Sequence, residues 1–236
     1  MNVGHKIEAG NAGWNFGGDV ADTFVDHIRQ SVPMYAEGHD LVCQFSDYFV
    51  SNQSTCYEIG VSTGELLRKL ATHNSGKPNA RWIGIDTEKP MIDKAKKHCA
   101  GVENIELYVD DIRNFDLEPA DLIVSYYTMQ FTPPRHRQAI FDKIYKSLNW
   151  GGAFIMFEKV RGPDARFQDI CVSLYNDFKV RQGFSPDEIL SKTRSLKGVL
   201  EPFSTEGNMG LMRRAGFADM MSICKYICFE GFLAIK

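Results

Sequence analysis

The sequence predicts an α/β protein built around a mostly parallel β-sheet, and three observations support this. Strand-like and helix-like segments alternate from Cys56 to Glu158. A loop from Gly60 to Gly64 follows the first of these strands, and Asp86 ends the second. Strands that alternate with helices of this length form parallel sheets with right-handed crossovers, and ligands bind at the carboxyl edge of such sheets. We therefore expect the functional residues at that edge.

The hydrophobic periodicity gives the order of the elements. Two N-terminal helices, Val20 to Gln30 and His39 to Phe49, precede the alternating region. The predicted strands are Cys56 to Gly60, Arg81 to Asp86, Ile105 to Val109, Leu122 to Tyr126, Ala153 to Glu158, Asp219 to Cys224 and Tyr226 to Ile235. The later helices are Leu66 to Ala71, Pro90 to Cys99, Pro134 to Leu148, Asp164 to Gln182, Pro186 to Lys197 and Met209 to Ala215. Asn149-Trp150-Gly151-Gly152 is predicted to be a turn.

The chain length of 236 residues predicts a single domain with an elaboration. Its parts are N-terminal lid helices (1–50), a ligand-binding core (51–160), a helical insertion (161–208) and a closing helix with two strands (209–236). The insertion and the N-terminal helices should lie over the carboxyl edge of the sheet. A lid belongs in that position.

Composition excludes several classes of function. A net charge of −3 without a basic cluster gives no reason to expect nucleic-acid binding. The segment from Met1 to Gly18 is polar, so we expect neither a signal peptide nor a membrane anchor, and a cytoplasmic protein is predicted. The six cysteines are expected to be reduced core residues. Cys224 and Cys228 fall on a predicted strand about 13 Å apart, so no metal is expected there.

The loop after the first strand predicts the kind of ligand. Gly60 and Gly64 remove side chains where the chain turns from strand to helix, so a ligand can approach the backbone. Asp86 can accept both hydroxyls of a ribose. Glu58 would repel a pyrophosphate but suits a ligand with positive charge. S-adenosylmethionine (SAM), with its sulfonium and ammonium groups, is such a ligand.

The next two strand ends support the same ligand. Asp110-Asp111-Ile112 follows the third strand, where a carboxylate can bind the adenine amino group and the next N–H a ring nitrogen. The buried run from Asp121 to Tyr127 ends in polar and aromatic side chains, as expected at the ligand edge.

With these residues in place, the chain resembles class I SAM-dependent methyltransferases, which have a Rossmann-like, seven-stranded fold. Over nearly its whole length it resembles carboxy-S-adenosylmethionine synthases more closely. The matching stretches are Arg29 to Tyr35, Asp111 to Arg113, Thr128 to Phe131, Asp142 to Tyr145, Leu148 to Ala153, Glu158-Lys159, Asp177 to Lys179 and Ala215 to Phe217. The resemblance implies a homodimer and cofactor contacts by Tyr35, Gly60, Val61, Ser62, Asp86, Thr87, Asp111 and Ile112.

Two departures from the family pattern affect the expected reaction. Tyr126 stands where the family has an Asn, and Thr193 where it has the Arg that pairs with the carboxylate of the modified cofactor. Arg194 is adjacent, but on a helix it points about 100° away. We therefore expect that the fold is kept and that the family reaction, which uses prephenate, is lost for lack of a cation.

Carboxy-S-adenosylmethionine synthesis from prephenate is kept as an alternative, and three other functions stay open at this point. The first is methyl transfer to a small acceptor. The second is cyclisation of SAM to azetidine-2-carboxylate with release of methylthioadenosine, because the chain also resembles the SAM cyclases. The third is a non-catalytic SAM-binding module. Aromatic side chains, including Tyr35, Tyr126 and Phe131, are expected around the sulfonium. Tyr126, Tyr175 and Asp177 are the candidate bases or orienting groups.

Overall fold

The computed structural model describes residues 1–5, 7–16 and 20–236 of the chain. Of the predicted polar segment Met1 to Gly18, Lys6, Gly17 and Gly18 lie outside that description. The helices are α1 (Val20–Ser31), α2 (Tyr35–Phe49), α3 (Glu65–His73), α4 (Lys89–His98), α5 (Pro134–Ser147), α6 (Ala165–Arg181), α7 (Pro186–Ser195) and α8 (Thr205–Ala215). The strands are β1 (Thr55–Ile59), β2 (Arg81–Asp86), β3 (Ile105–Val109), β4 (Ala120–Tyr126), β5 (Leu148–Lys159), β6 (Asp219–Tyr226) and β7 (Phe229–Ile235).

The strands form one seven-stranded sheet in the order β3-β2-β1-β4-β5-β7-β6. Strands β1 to β5 pair in parallel, whereas β7 is antiparallel to both β5 and β6. This is the predicted Rossmann-like methyltransferase fold. The order reverses direction between β1 and β4, and ligands bind beside such a switch point.

Two apolar clusters cover the two faces of the sheet, because residues of a strand alternate between faces. On β1, Cys56 belongs to one cluster, while Tyr57 and Ile59 belong to the other. The fully buried runs of β4 and β5 are typical of central parallel strands. The six cysteines are free thiols, four of them buried and two half-buried.

The element boundaries differ from the prediction mainly in three places. Helix α2 begins four residues earlier than expected, after Met34, whose φ of 55° is left-handed. Helix α8 also begins four residues earlier, because the Ser204 side chain accepts a hydrogen bond from the Gly207 N–H. The predicted turn at Asn149 to Gly152 is part of β5, because Gly151 and Gly152 form backbone hydrogen bonds to Lys236.

Helices α6 and α7 lie between β5 and α8, as the predicted insertion requires. The N-terminal segment packs on the end of α7 through the backbone N–H groups of Ala12 and Trp14, which donate to Arg194 O and Ser195 O at 2.9 and 3.1 Å. Both parts contribute to the wall of the cavity described below. No helix in the described part of the chain has the length and apolar character needed to span a membrane.

Candidate active site

A cavity of about 850 Å³ lies at the carboxyl edge of the parallel strands. The ends of β1, β2, β4 and β5 form its floor, together with the loop after β3. Helices α6 and α7 and the N-terminal segment form the opposite side. The sequence-predicted residues that line it are Tyr35, Glu58, Gly60, Val61, Ser62, Asp86, Thr87, Asp111, Ile112, Tyr126, Phe131 and Tyr175. Gly64 and Asp177 do not line it.

The loop after β1 places its backbone at the cavity through left-handed residues. Gly60 and Ser62 have φ values of 76° and 50°. A side chain at Gly60 would collide with Thr128, so glycine is required there. Gly64 has a different role from the one predicted: it precedes α3 with a φ of 80°, and a Cβ there would lie 2.9 Å from Cys99 Sγ. Its lack of a side chain therefore serves helix packing.

Glu58 is a buried carboxyl group on the cavity wall. It is only 3% exposed, and within the described residues its Oε2 atom has no hydrogen-bond partner. Burial holds the pKa of Glu58 well above its usual range, and a hydrogen bond from the Leu67 N–H opposes this shift only in part. The site therefore favours the neutral acid until a cationic group approaches.

Asp86 has its carboxylate fixed by the backbone. Its Oδ2 accepts from the Ser62 N–H and its Oδ1 from the Glu88 N–H, both at 2.9 Å. Burial raises the pKa of Asp86, and these hydrogen bonds partly offset the shift. Because each carboxylate oxygen has a second lone pair, the group can still accept two ribose hydroxyls.

Asp111 and Ile112 lie in the loop after β3. The Asp111 Oδ2 atom accepts from Arg113 Nε at 2.8 Å and from Arg113 Nη2 at 2.5 Å. The Arg113 guanidinium lowers the pKa of Asp111, so this carboxylate stays charged as a hydrogen-bond acceptor. Ile112 is buried and offers an apolar surface beside it.

Tyr126 lines the cavity with its ring, but its hydroxyl group is already bonded. The hydroxyl donates to Tyr35 O at 2.8 Å. A side chain at Gly38 would collide with the hydroxyl oxygen of Tyr126. The ring packs on Phe157 at a centroid distance of 4.8 Å. The predicted orienting role for the Tyr126 hydroxyl is therefore not supported, because α2 binds that group. Next to it, Tyr127 has a left-handed φ of 58° at the ligand edge.

Three lysines that the sequence did not single out form a cationic wall at the far end of the cavity. Lys159 ends β5, Lys179 is on α6 and Lys192 is on α7. The Nζ atoms of Lys159 and Lys179 lie 4.3 and 4.4 Å from the centroid of the Tyr175 ring. Within the described residues none of the three forms an ion pair with a carboxylate. Lys159 and Lys179 fall in stretches that carried the family resemblance, and this feature of the sequence could have indicated them as site residues.

Burial and mutual repulsion lower the pKa values of these lysines. Burial lowers the pKa of Lys192 to about 6, and the charge of Lys179 contributes. Burial likewise lowers the pKa of Lys179 to about 8, with a contribution from Lys159. Burial also lowers the pKa of Lys159. A bound anion would offset both effects, so this wall is built to receive negative charge.

The two other candidate catalytic residues, Tyr175 and Asp177, lie on different faces of α6. The Tyr175 ring lies at the cavity, and its hydroxyl donates to Ser31 O at 2.8 Å. Asp177 is exposed, because residues two apart on a helix point about 200° apart. Asp177 is therefore removed from the site, and the Tyr175 hydroxyl is bonded to α1.

The expectation that Thr193 leaves the site without a basic residue for a carboxylate is not met. Thr193 lines the cavity, and its Oγ1 donates to Ile189 O at 2.9 Å. Arg194 is exposed and does not line the cavity, as predicted. However, the cavity does not lack basic side chains, because Lys159, Lys179 and Lys192 line it and Lys192 stands immediately before Thr193. Its Nζ lies 2.7 Å from the centroid of the Trp14 ring.

Comparison with known proteins agrees with this geometry. Residues 57–152 match the family described as a methyltransferase domain. The carboxy-S-adenosyl-L-methionine synthase of Staphylococcus epidermidis is 35% identical, with 94% of this chain and 97% of the relative covered. That of Campylobacter lari is 34% identical, with 94% of each covered. The chain belongs to the carboxy-S-adenosyl-L-methionine synthase family.

Solved structures share the fold at low identity. An O-methyltransferase family protein from Burkholderia thailandensis matches with a TM-score of 0.64 and 17% identity, over 92% of this chain and 59% of that one. Human N-acetylserotonin methyltransferase in complex with SAM matches with a TM-score of 0.53 and 16% identity, over the same shares. These likenesses establish a methyltransferase fold for this member of the synthase family.

The described residues fit SAM, the cofactor of class I methyltransferases. The unpartnered Oε2 of Glu58 is complementary to a cationic group, and the two oxygens of Asp86 are complementary to a ribose. The charged Asp111 carboxylate suits an amino group at the far end. These three groups stand on neighbouring strands β1, β2 and the loop after β3, in the order in which the parts of an adenosyl amino acid follow one another.

Proposed function

We propose that the protein is a SAM-dependent enzyme whose second substrate is a small molecule bearing a carboxylate. The observation that carries this proposal is the cationic wall formed by Lys159, Lys179 and Lys192. One buried and two half-buried lysines that have no carboxylate partner among the described residues are costly in a folded protein unless an anion binds to them. We therefore assign this wall to a ligand.

The topology supports placing the second substrate at this wall. Residues proposed for adenine, ribose and the amino-acid part lie at the ends of β3, β2 and β1, and β4 follows in the sheet. Lys159 lies one strand further, at the end of β5. A cavity of about 850 Å³ is at the large end of the range for single-ligand pockets, so it has room for a second molecule.

The first candidate reaction is methyl transfer to the carboxylate-bearing acceptor. When bound, SAM supplies an electrophilic methyl group on its sulfonium. The lysines hold the acceptor by its carboxylate, and Tyr126, Tyr127 and Phe131 present aromatic surface that excludes water. Positioning and desolvation are the main contributions that such a displacement needs from the protein.

The second candidate is the reaction named for the relatives, carboxy-S-adenosyl-L-methionine synthesis, with prephenate as carboxyl donor. Lys192 favours it, because it places a basic side chain, which a bound carboxylate would hold as the ammonium, beside the position that the resemblance assigns to an arginine. Lysine binds as a point charge and arginine as a bidentate fork, so the replacement changes geometry more than charge.

Cyclisation of SAM to azetidine-2-carboxylate and methylthioadenosine is a third outcome, favoured by the aromatic residues beside β4. It needs no second substrate, so it leaves the lysine wall without a ligand. A non-catalytic SAM-binding module leaves the wall equally without a purpose. For this reason we rank both below the two reactions with a carboxylate partner.

Mass spectrometry of the products separates these reactions. The pure protein is incubated with SAM alone, with SAM and prephenate, and with SAM and a panel of small carboxylic acids. We expect a change only when a carboxylic acid is present. Lys159→Met and Lys179→Met should each lower kcat/KM about tenfold or more, on the scale of a lost charged contact, whereas Asp177→Asn should leave it unchanged. Methylthioadenosine formed from SAM alone at a comparable rate contradicts the proposal.

A further inference from the structure

Lys143 uses all three of its ammonium donors on one loop. It lies on α5, in the stretch Asp142 to Tyr145 that carried part of the family resemblance, and it is half-buried outside the cavity. Its Nζ donates to Ile112 O at 2.9 Å, to Arg113 O at 2.9 Å and to Phe115 O at 3.1 Å. A lysine has no further donors. The side chain is therefore fully committed to residues 112–115.

This loop is the one that carries the proposed adenine contacts. It forms a single tight turn, in which the N–H groups of Asn114 and Phe115 both donate to Asp111 O at 2.8 and 2.9 Å. In addition, the Arg113 N–H donates to Asp111 Oδ1 at 2.9 Å. The carbonyls that follow Asp111 converge on one point, and a cation at such a point stabilises them as it does at a helix carboxyl end.

We propose that Lys143 is a positioning residue for base recognition, acting through the backbone of the loop that presents Asp111 and Ile112. This rests on the proposed function, because it assumes that SAM binds with its adenine at that loop. Lys143 does not touch the ligand. It fixes where the Asp111 carboxylate and the Ile112 backbone meet the base, and its removal should reduce the selection of adenine over other purines.

The test uses the ratio of two affinities, because a general loss of stability does not change such a ratio. Calorimetry measures binding of S-adenosylhomocysteine and S-inosylhomocysteine, in which a carbonyl replaces the adenine amino group. We expect the wild-type chain to prefer the adenine ligand by about tenfold or more, since the site is built to accept from an amino group. In Lys143→Met, which keeps the aliphatic stem, the preference should fall to about threefold or less, mainly through weaker binding of the adenine ligand.

Lys146→Met is the matched control, because Lys146 is an exposed lysine on the same helix. It should keep the wild-type ratio. If Lys143→Met does not fold, Lys143→Arg carries the test, because a planar guanidinium cannot direct three donors from one atom. An unchanged ratio in the folded variant overturns the inference. If the wild-type chain binds neither ligand, the proposed function fails instead, so the two failures are distinguishable.

Discussion

Asp86 is oriented before a ligand binds, because the backbone N–H groups of Ser62 and Glu88 hold one carboxylate oxygen each. Such preorganisation lowers the entropic cost of binding. The short βα loop sets this geometry, since residue 62 reaches the end of the neighbouring strand β2. Asp86 is therefore the residue on which the placement of the ribose depends.

We predict that Asp86→Ala weakens binding of S-adenosylhomocysteine by about 2 kcal/mol, which is roughly thirtyfold, because two charge-assisted hydrogen bonds are lost. Isothermal titration calorimetry measures the change. Asp93→Ala is the control, since Asp93 is an exposed carboxylate on α4 that does not line the cavity. Wild-type affinity in Asp86→Ala contradicts this placement of the ribose.

Tyr126 and Gly38 form a complementary pair between β4 and α2. The Tyr126 hydroxyl reaches Tyr35 O, and only a residue without a side chain fits opposite it. The Tyr126 side chain is thus accommodated by a glycine on the neighbouring helix. Its role in the site is to fix the start of α2, and with it Tyr35.

We predict that Tyr126→Phe lowers the free energy of unfolding by about 1 kcal/mol, the usual value of one hydrogen bond, and keeps cofactor binding. Gly38→Ala should destabilise the wild-type chain more than it destabilises Tyr126→Phe, because the colliding oxygen is absent there. Urea denaturation of the four proteins gives the coupling free energy. Additive effects would show that the two residues do not share this space.

At the scale of elements, α5 supports three loops of the cavity with two cations. Arg137, which is 2% exposed, donates to Thr132 O at 2.8 Å and to Glu201 O at 2.7 Å. Lys143 holds the loop after β3 in the same way, from the same helix. A helix that faces away from the ligand thus positions the loops on two sides of it.

The cationic wall depends on three elements that meet only in the folded chain. Its lysines come from the end of β5, from α6 and from α7. The pKa of Lys192 is lowered to about 6 and that of Lys179 to about 8, whereas the unfolded chain has the ordinary lysine value of 10.5. Between these values the unfolded chain binds more protons than the folded chain, so stability rises with pH.

We predict that the free energy of unfolding gained between about pH 6 and pH 9 is smaller in Lys192→Met than in the wild-type chain, because the variant lacks the titrating group. Below about pH 6 the variant should be the more stable protein, since it buries one charge fewer. Urea denaturation at a series of pH values measures both effects, with Lys146→Met as an exposed control. Parallel pH profiles for the wild-type chain and Lys192→Met are the contrary outcome.

At the scale of the whole molecule, the cavity is closed by parts that are distant in the chain. Trp14 of the N-terminal segment meets Lys192 of α7, and both line the cavity. The N-terminal segment and the insertion therefore form this side of the cavity together, and their action as a lid stays a prediction. These two parts and the carboxyl edge of the sheet together enclose the cavity.

The homodimer implied by the family resemblance stays a prediction. Phe167, Ile170 and Leu174 recur at spacings of three and four residues on α6, and each is about half exposed. We expect sedimentation to show a dimer in the wild-type chain and a monomer in Leu174→Glu, with Asp177→Asn on the same helix as control. A wild-type chain that sediments as a monomer contradicts the prediction.

The sequence alone determined the order of the elements and the sheet edge at which the predicted cofactor residues lie. Parallel βα units place every strand end at one edge, so residues at or next to strand ends, such as Glu58, Asp86 and Asp111, come together whatever the details of packing. Glycine in a left-handed turn is likewise a local requirement, as at Gly60. These features follow from short-range geometry.

Only the tertiary structure decided the side of the cavity that we propose for a second substrate. It brought Lys159, Lys179 and Lys192 to one cavity and left Asp177 exposed. It also bonded the Tyr126 hydroxyl to the Tyr35 carbonyl oxygen at the start of α2. The segment from β5 to α7 does not repeat the strand-helix unit, so no period in the sequence relates these residues to one another. Their distances are set by how the lid packs on the sheet, and that depends on contacts between residues far apart in the chain.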